Sequence, residues 1–177
     1  MKLNATFAMA LILLTASAFA QTPAKPGPEL KKLDYFAGTW IVDATIDQGP
    51  WGNGGKFSAT HTNEWMSGNF FLVGRDTFSL PAELGGDGAG TAFLGYDTNQ
   101  NVYTSDSFNS QGRHESYKGA VTADTWIWTG SQNYAGQEIQ HKLTLKVLSP
   151  SSYSMKLEVS VDGTNWMTFM DGKATKK

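Results

Sequence analysis

Two histidines on apolar strand faces are the residues of this sequence best placed to do chemistry. Apolar and polar residues alternate over 139–147, and His141 shares its parity with the apolar set. The same alternation over 57–65 places His61 on an apolar face. Because alternate residues of a strand share a face, both imidazoles are expected to point into the protein.

A carboxylate is expected close to the first of these histidines. If Ser67-Gly68 is a two-residue hairpin turn, His61 pairs with Gly74, and Asp76 lies on the same face about 7–8 Å away. Three interpretations follow for the two histidines. They are buried and structural, they orient a ligand in a pocket, or they act in acid–base catalysis with Asp76.

Three tryptophans are further candidates for ligand contact. Trp51 lies in a glycine-rich segment, 48–55, where a loop indole could stand at the mouth of a pocket. Trp65 shares the inward parity of His61, and Trp128 lies two residues from Trp126 on one strand face. Such inward aromatics either pack in a core or form a stacking surface for a ligand.

The composition excludes several kinds of site. The chain has no cysteine, which rules out thiol catalysis and iron–sulfur clusters. Its three histidines lie on separate predicted strands without paired spacing, so no metal site is predicted. The net charge of −2 lacks the basic footprint of a nucleic-acid-binding protein. We therefore predict no metal, no cofactor and no nucleic-acid partner.

The N-terminus has the pattern of a secretory signal peptide over residues 1–20. Lys2 precedes an apolar segment, 5–14, and Ala18-Phe19-Ala20 forms a cleavage site of the small-x-small type. The apolar segment is too short to span a bilayer. We expect an exported protein, periplasmic or extracellular, without an integral membrane segment once the signal is cleaved. Residues 21–28 are predicted to form an extended leader.

The rest of the chain, 29–177, reads as one all-β domain. Apolar residues at positions 30, 33 and 36 predict one short helix over Pro28–Phe36. About ten alternating segments follow, separated by turn residues such as Asp97 to Asn101 and Asp162 to Thr164. This regular succession of short strands and turns predicts an antiparallel up-and-down barrel of about ten strands, whose closure removes exposed strand edges.

The residues of the helix-to-strand junction, Phe36-Ala37-Gly38-Thr39-Trp40, resemble the start of calycin-type barrels such as lipocalins, fatty-acid-binding proteins and nitrobindins. Over most of its length the sequence resembles a bacterial secreted family known as domain of unknown function 1579. The matching segments are 33–40, 49–57, 64–66, 95–97 and 170–174.

The related barrels suggest ligands that this chain does not match. The resemblance to fatty-acid-binding proteins implies an Arg-x-Tyr clamp in the last strand, and that segment, 165–174, has no arginine. The resemblance to nitrobindins implies a haem-binding histidine near the end of the domain, and the last histidine here is His141. Fatty acid and haem are both disfavoured.

Three function hypotheses remain open from the sequence. The first is an exported barrel that binds a small apolar or amphipathic ligand, using Trp51, His61, Trp65, Asp76, Trp128 and His141. The second is a hydrolase or isomerase in which an interior histidine works with a carboxylate. The third is an envelope interaction module whose barrel is filled by its own side chains.

Overall fold

The fold is a closed antiparallel barrel, described here from a computed structural model that covers residues 25–134 and 136–177. The predicted signal peptide, 1–20, and the first four residues of the predicted leader lie outside the described residues. A 3-10 helix, Pro28–Phe36, precedes the barrel. The ten strands are β1 Gly38–Ile46, β2 Gly55–Trp65, β3 Leu72–Ser79, β4 Gly88–Asp97, β5 Val102–Asn109, β6 His114–Thr122, β7 Thr125–Tyr134, β8 Gln137–Ser149, β9 Ser152–Ser160 and β10 Met167–Lys176.

Each strand pairs with its neighbours in sequence, and β1 closes the barrel by pairing with β10. The predicted all-β up-and-down barrel with one short N-terminal helix is therefore confirmed. In β1 the burial alternates strictly, with Trp40, Val42, Ala44 and Ile46 inside. A second 3-10 turn, Ala82–Leu84, lies in the β3–β4 loop.

The predicted two-residue turn at Ser67-Gly68 is wrong. Six residues, 66–71, connect β2 to β3, and the backbone N–H of Met66 donates to the carbonyl of Phe71 at 2.9 Å. His61 consequently pairs directly with Asp76, two positions from the predicted partner. Because a shift of two residues preserves the side-chain faces, both residues still point into the barrel.

One end of the barrel is filled by the N-terminal helix and an aromatic core. Leu33, at 0% exposed, is the most buried residue of the helix. The helix is held by its hydrogen bonds as well as by packing, since the Tyr35 hydroxyl lies 3.0 and 2.9 Å from the carbonyl oxygens of Ser149 and Ser152. The other buried residues of this core include Leu30, Phe36, Trp40, Leu72, Tyr103, Trp126, Trp128 and Tyr153.

No helix among the described residues combines the length and apolar character that crossing a membrane requires.

Candidate functional site

The end of the barrel opposite the helix contains a cavity of about 710 Å³. Loops surround its mouth: the β1–β2 loop contributes Trp51, the β3–β4 loop contributes Glu83 and Leu84, and Tyr134 stands beside the β7–β8 turn. The interior is thus divided along its axis. The helix end is packed with side chains. The opposite end has a smaller apolar cluster around Ala44, Ile46 and Met170, and the cavity opens beside it.

One wall of the cavity is apolar. It is formed mainly by β8, β9 and β10, through Ile139, Leu157, Val159, Met167 and Phe169. Trp51 closes over this wall, with its ring centroid 5.1 Å from that of Phe169 in an edge-to-face arrangement. Its indole N–H donates to the carbonyl of Asp47 at 2.7 Å, which fixes the ring in place.

The facing wall is polar and is formed mainly by β6. Arg113, at the start of this strand, and Glu115 and Tyr117 within it have the same parity, so all three side chains point inward. The Arg113 guanidinium lies 5.3 Å from the ring centroid of Tyr134 at the rim. Gln132 on β7 completes this wall.

Three polar side chains are linked at the inner end of this wall. The Tyr117 hydroxyl donates to Oε2 of Glu115 at 3.3 Å and lies 3.1 Å from Nδ1 of His141. Burial lowers the pKa of His141, although Glu115 opposes the shift, so the imidazole is neutral at neutral pH. Burial, followed by the charge of Glu115, raises the pKa of Tyr117, so its hydroxyl keeps its proton.

A glycine makes this linkage possible. Tyr117 and His141 lie on β6 and β8, with β7 between them, and Gly130 of β7 pairs with His141. A Cβ on Gly130 would clash with the carbonyl oxygen of Ser116 and lie 3.1 Å from Cδ1 of Tyr117. Since no side chain projects inward from this position, the phenol reaches across β7 to the imidazole.

The other predicted pair, His61 and Asp76, lies on the inner surface but is not among the residues that line this cavity. Burial lowers the pKa of His61 and raises the pKa of Asp76, and the attraction between the two groups opposes both shifts. Within the described residues, no hydrogen bond or ion pair joins the two side chains.

Two predicted tryptophans lie at the packed end of the barrel. The Trp65 indole donates to Oδ1 of Asp34 at 2.7 Å and so joins the barrel to the N-terminal helix. Trp128 is 3% exposed and stacks on Trp126. Of the six sequence candidates, the cavity brings together only Trp51 and His141.

The polar wall was not among the predicted site residues. The sequence contains a signal for it, because alternation with Val121 places Arg113, Glu115 and Tyr117 on the inward face of one strand. Within the described part of the chain, no three His, Asp or Glu side chains are grouped so that they could hold a metal ion.

A closed antiparallel barrel with a short helix across one end and a hollow opposite end belongs to the calycin-like class of small β-barrels. The chain is a member of the family described as protein of unknown function (DUF1579), whose model matches residues 25–176. It is similar in structure to Rv2717c from M. tuberculosis, with a TM-score of 0.58 and 12% identity, over 86% of this chain and 99% of that chain. This likeness shows the fold alone. No curated protein matches the chain.

Proposed function

We propose that this protein binds a small amphipathic ligand in the open-end cavity and does so after export from the cytoplasm. The observation that carries the proposal is the cavity itself. Its volume of about 710 Å³ falls within the range of roughly 300–1,000 Å³ that is typical of small-molecule sites. One apolar wall and one polar wall suit a ligand with an apolar body and a polar group.

The division of the interior supports binding over a purely structural role. A barrel that served only as a scaffold would be filled at both ends, because an unfilled interior forfeits packing contacts. The packed core at the helix end supplies stability, while the open end leaves a volume for a guest. The predicted signal peptide over 1–20 supports export.

Binding can be tested with an environment-sensitive fluorescent dye and by thermal shift with a panel of apolar and amphipathic compounds. Val161 lines the cavity and is 52% exposed, so Val161→Trp should narrow the cavity without disturbing the core. Leu148→Trp is the matched control, since Leu148 is also 52% exposed but lies at the helix end.

We expect dye binding and ligand-induced stabilisation in the wild type and in Leu148→Trp, and weaker binding in Val161→Trp. A ligand at 100 times its dissociation constant adds about 2.7 kcal/mol to the free energy of unfolding. Ile139→Trp, which places the ring inside the cavity, gives a second test. Unchanged binding in both cavity variants would place the ligand elsewhere, and no binding by any compound would refute the proposal.

An enzyme is the second candidate, and the linkage of Glu115, Tyr117 and His141 favours it. A neutral imidazole in an open cavity, connected through a phenol to a carboxylate, has the components of a general base with an orienting partner. Turnover of model esters or of enolisable ketones, abolished in His141→Gln, would support this role. Equal rates in wild type and variant would exclude His141 as the reacting group.

A further inference from the structure

The hydrogen bonds of Tyr117 determine which nitrogen of His141 carries the proton. The phenol has one proton and lies between Oε2 of Glu115 and Nδ1 of His141. A carboxylate only accepts hydrogen bonds, so the hydroxyl donates to Glu115. The hydroxyl oxygen then accepts from Nδ1, which must carry the hydrogen. In a neutral imidazole this leaves Nε2 with a lone pair and no proton.

The surroundings leave Nε2 available to a ligand. Among the described residues, no side chain or backbone group forms a hydrogen bond with this nitrogen. The strands on either side of β8 add no competing charge, because Gly130 of β7 and Val159 of β9 are the partners of His141. Glu115 and Tyr117 are the titratable groups that face it.

The charges around the cavity disfavour anions. Its lining carries the guanidinium of Arg113 and the carboxylates of Glu83 and Glu115. An anionic group placed at Nε2 would be repelled by the lone pair of that nitrogen. It would also be repelled by the carboxylate of Glu115, which is linked to the imidazole through the phenol of Tyr117. Anion recognition by Arg113 is confined to the rim, where its guanidinium lies over Tyr134.

We propose, on the basis of the binding function above, that the cavity selects amphipathic ligands without an anionic group that place a hydroxyl or N–H donor at the inner end, where Nε2 of His141 accepts the hydrogen bond. The length of strand between the rim and His141 leaves room for an apolar body between this donor and the mouth of the cavity. His141 lies four residues along β8 from Gln137 at the rim, which is about 13 Å of extended strand.

A matched pair of ligands tests the acceptor. Naphthol carries a hydroxyl donor, and its methyl ether has the same ring system without the donor. We expect naphthol to bind at least about tenfold more tightly, because the ether forfeits one hydrogen bond and leaves a buried acceptor unpaired. His141→Phe should abolish the preference for naphthol, and the methyl ether should still bind to this variant. His114→Phe is the control, since His114 is exposed and stacks on Phe108.

The role of Glu115 and Tyr117 as positioning residues is tested by nitrogen NMR of the imidazole. Wild type should show the proton on Nδ1. In Tyr117→Phe and Glu115→Leu the proton should redistribute towards Nε2, because the first variant removes the acceptor of the Nδ1 proton and the second frees the phenol to donate to Nδ1. The preference for naphthol should fall in both, although the ether still binds. A purely structural role would not couple the tautomer to ligand preference.

The outcomes separate the two proposals. If naphthol and its ether bind with equal affinity, the acceptor role is wrong and the binding function stands. If wild type carries the proton on Nε2, the tautomer assignment is wrong and the acceptor role falls with it. If neither compound binds, both the acceptor role and the binding of ligands of this size are refuted.

Discussion

The carbonyl oxygen of Phe36, at the end of the N-terminal helix, accepts two side-chain hydrogen bonds. The Trp40 indole donates at 2.9 Å and the Asn63 amide at 2.8 Å. Removing either donor leaves the carbonyl with one partner. Removing both leaves a polar group at the packed end of the barrel without a partner, which costs about 1–3 kcal/mol beyond the lost bond.

We therefore predict that the effect of Asn63→Ala depends on the residue at position 40. In the wild type it should lower the free energy of unfolding by about 1 kcal/mol, the usual net contribution of one hydrogen bond. In a Trp40→Phe background the same change should cost about 1–3 kcal/mol more, because the carbonyl is then unpaired. Both proteins of the second comparison carry Trp40→Phe, so the free energy lost with the smaller side chain is the same in both and cancels.

Urea unfolding followed by far-ultraviolet circular dichroism measures the four proteins of this cycle. With a slope of about 2 kcal/mol/M, the extra cost should move the midpoint by roughly 0.5–1.5 M. Thr60→Ala, at an exposed position of β2, is the control and should cost about the same in both backgrounds. If Asn63→Ala has equal cost with Trp and with Phe at position 40, the shared-carbonyl reasoning is refuted.

Three further predictions concern stability. Leu33→Ala should lower the free energy of unfolding in urea by about 2–5 kcal/mol, because it removes a buried side chain of the helix. The control Lys32→Ala, at an exposed position, should lower it by less than about 0.5 kcal/mol, and equal losses in the two variants would contradict the packing of the helix. Burial raises the pKa of Tyr153 above 10.0, so the free energy of unfolding should fall as pH rises above that value, and this fall should be smaller in Tyr153→Phe. Hydrogen bonds from Asn165 hold the pKa of Asp162 below its usual 3.8, so stability should fall below that pH in wild type and less in Asp162→Asn in acid titration.

The local pattern of this sequence was sufficient to predict its elements and faces. Apolar spacing at three-residue intervals predicted the helix at Pro28–Phe36, and alternation predicted that His61 and His141 point inward. Both signals depend only on residues within one segment. The connection between β2 and β3 was predicted wrongly, because a short Ser-Gly turn and a six-residue loop are compatible with the same flanking alternation.

The composition of the cavity depended on contacts that no single segment encodes. Trp51 and His141 meet in the cavity, whereas Trp65 and Trp128 lie at the opposite end of the same interior. The sequence indicates that a side chain points inward, and it does not indicate its height along the barrel axis. That height follows from strand tilt and from the register of every strand pair around the closed sheet.

By itself, the sequence determined an all-β chain with a helical start, a cysteine-free composition and an inward face for each strand, because these properties follow from residue type and local periodicity. Only the tertiary structure decided that one end is packed and the other hollow. It alone brought Tyr117 to His141 across Gly130, because this contact joins strands that are not neighbours. The candidate site arises from the closure of the barrel, a long-range property of the whole chain.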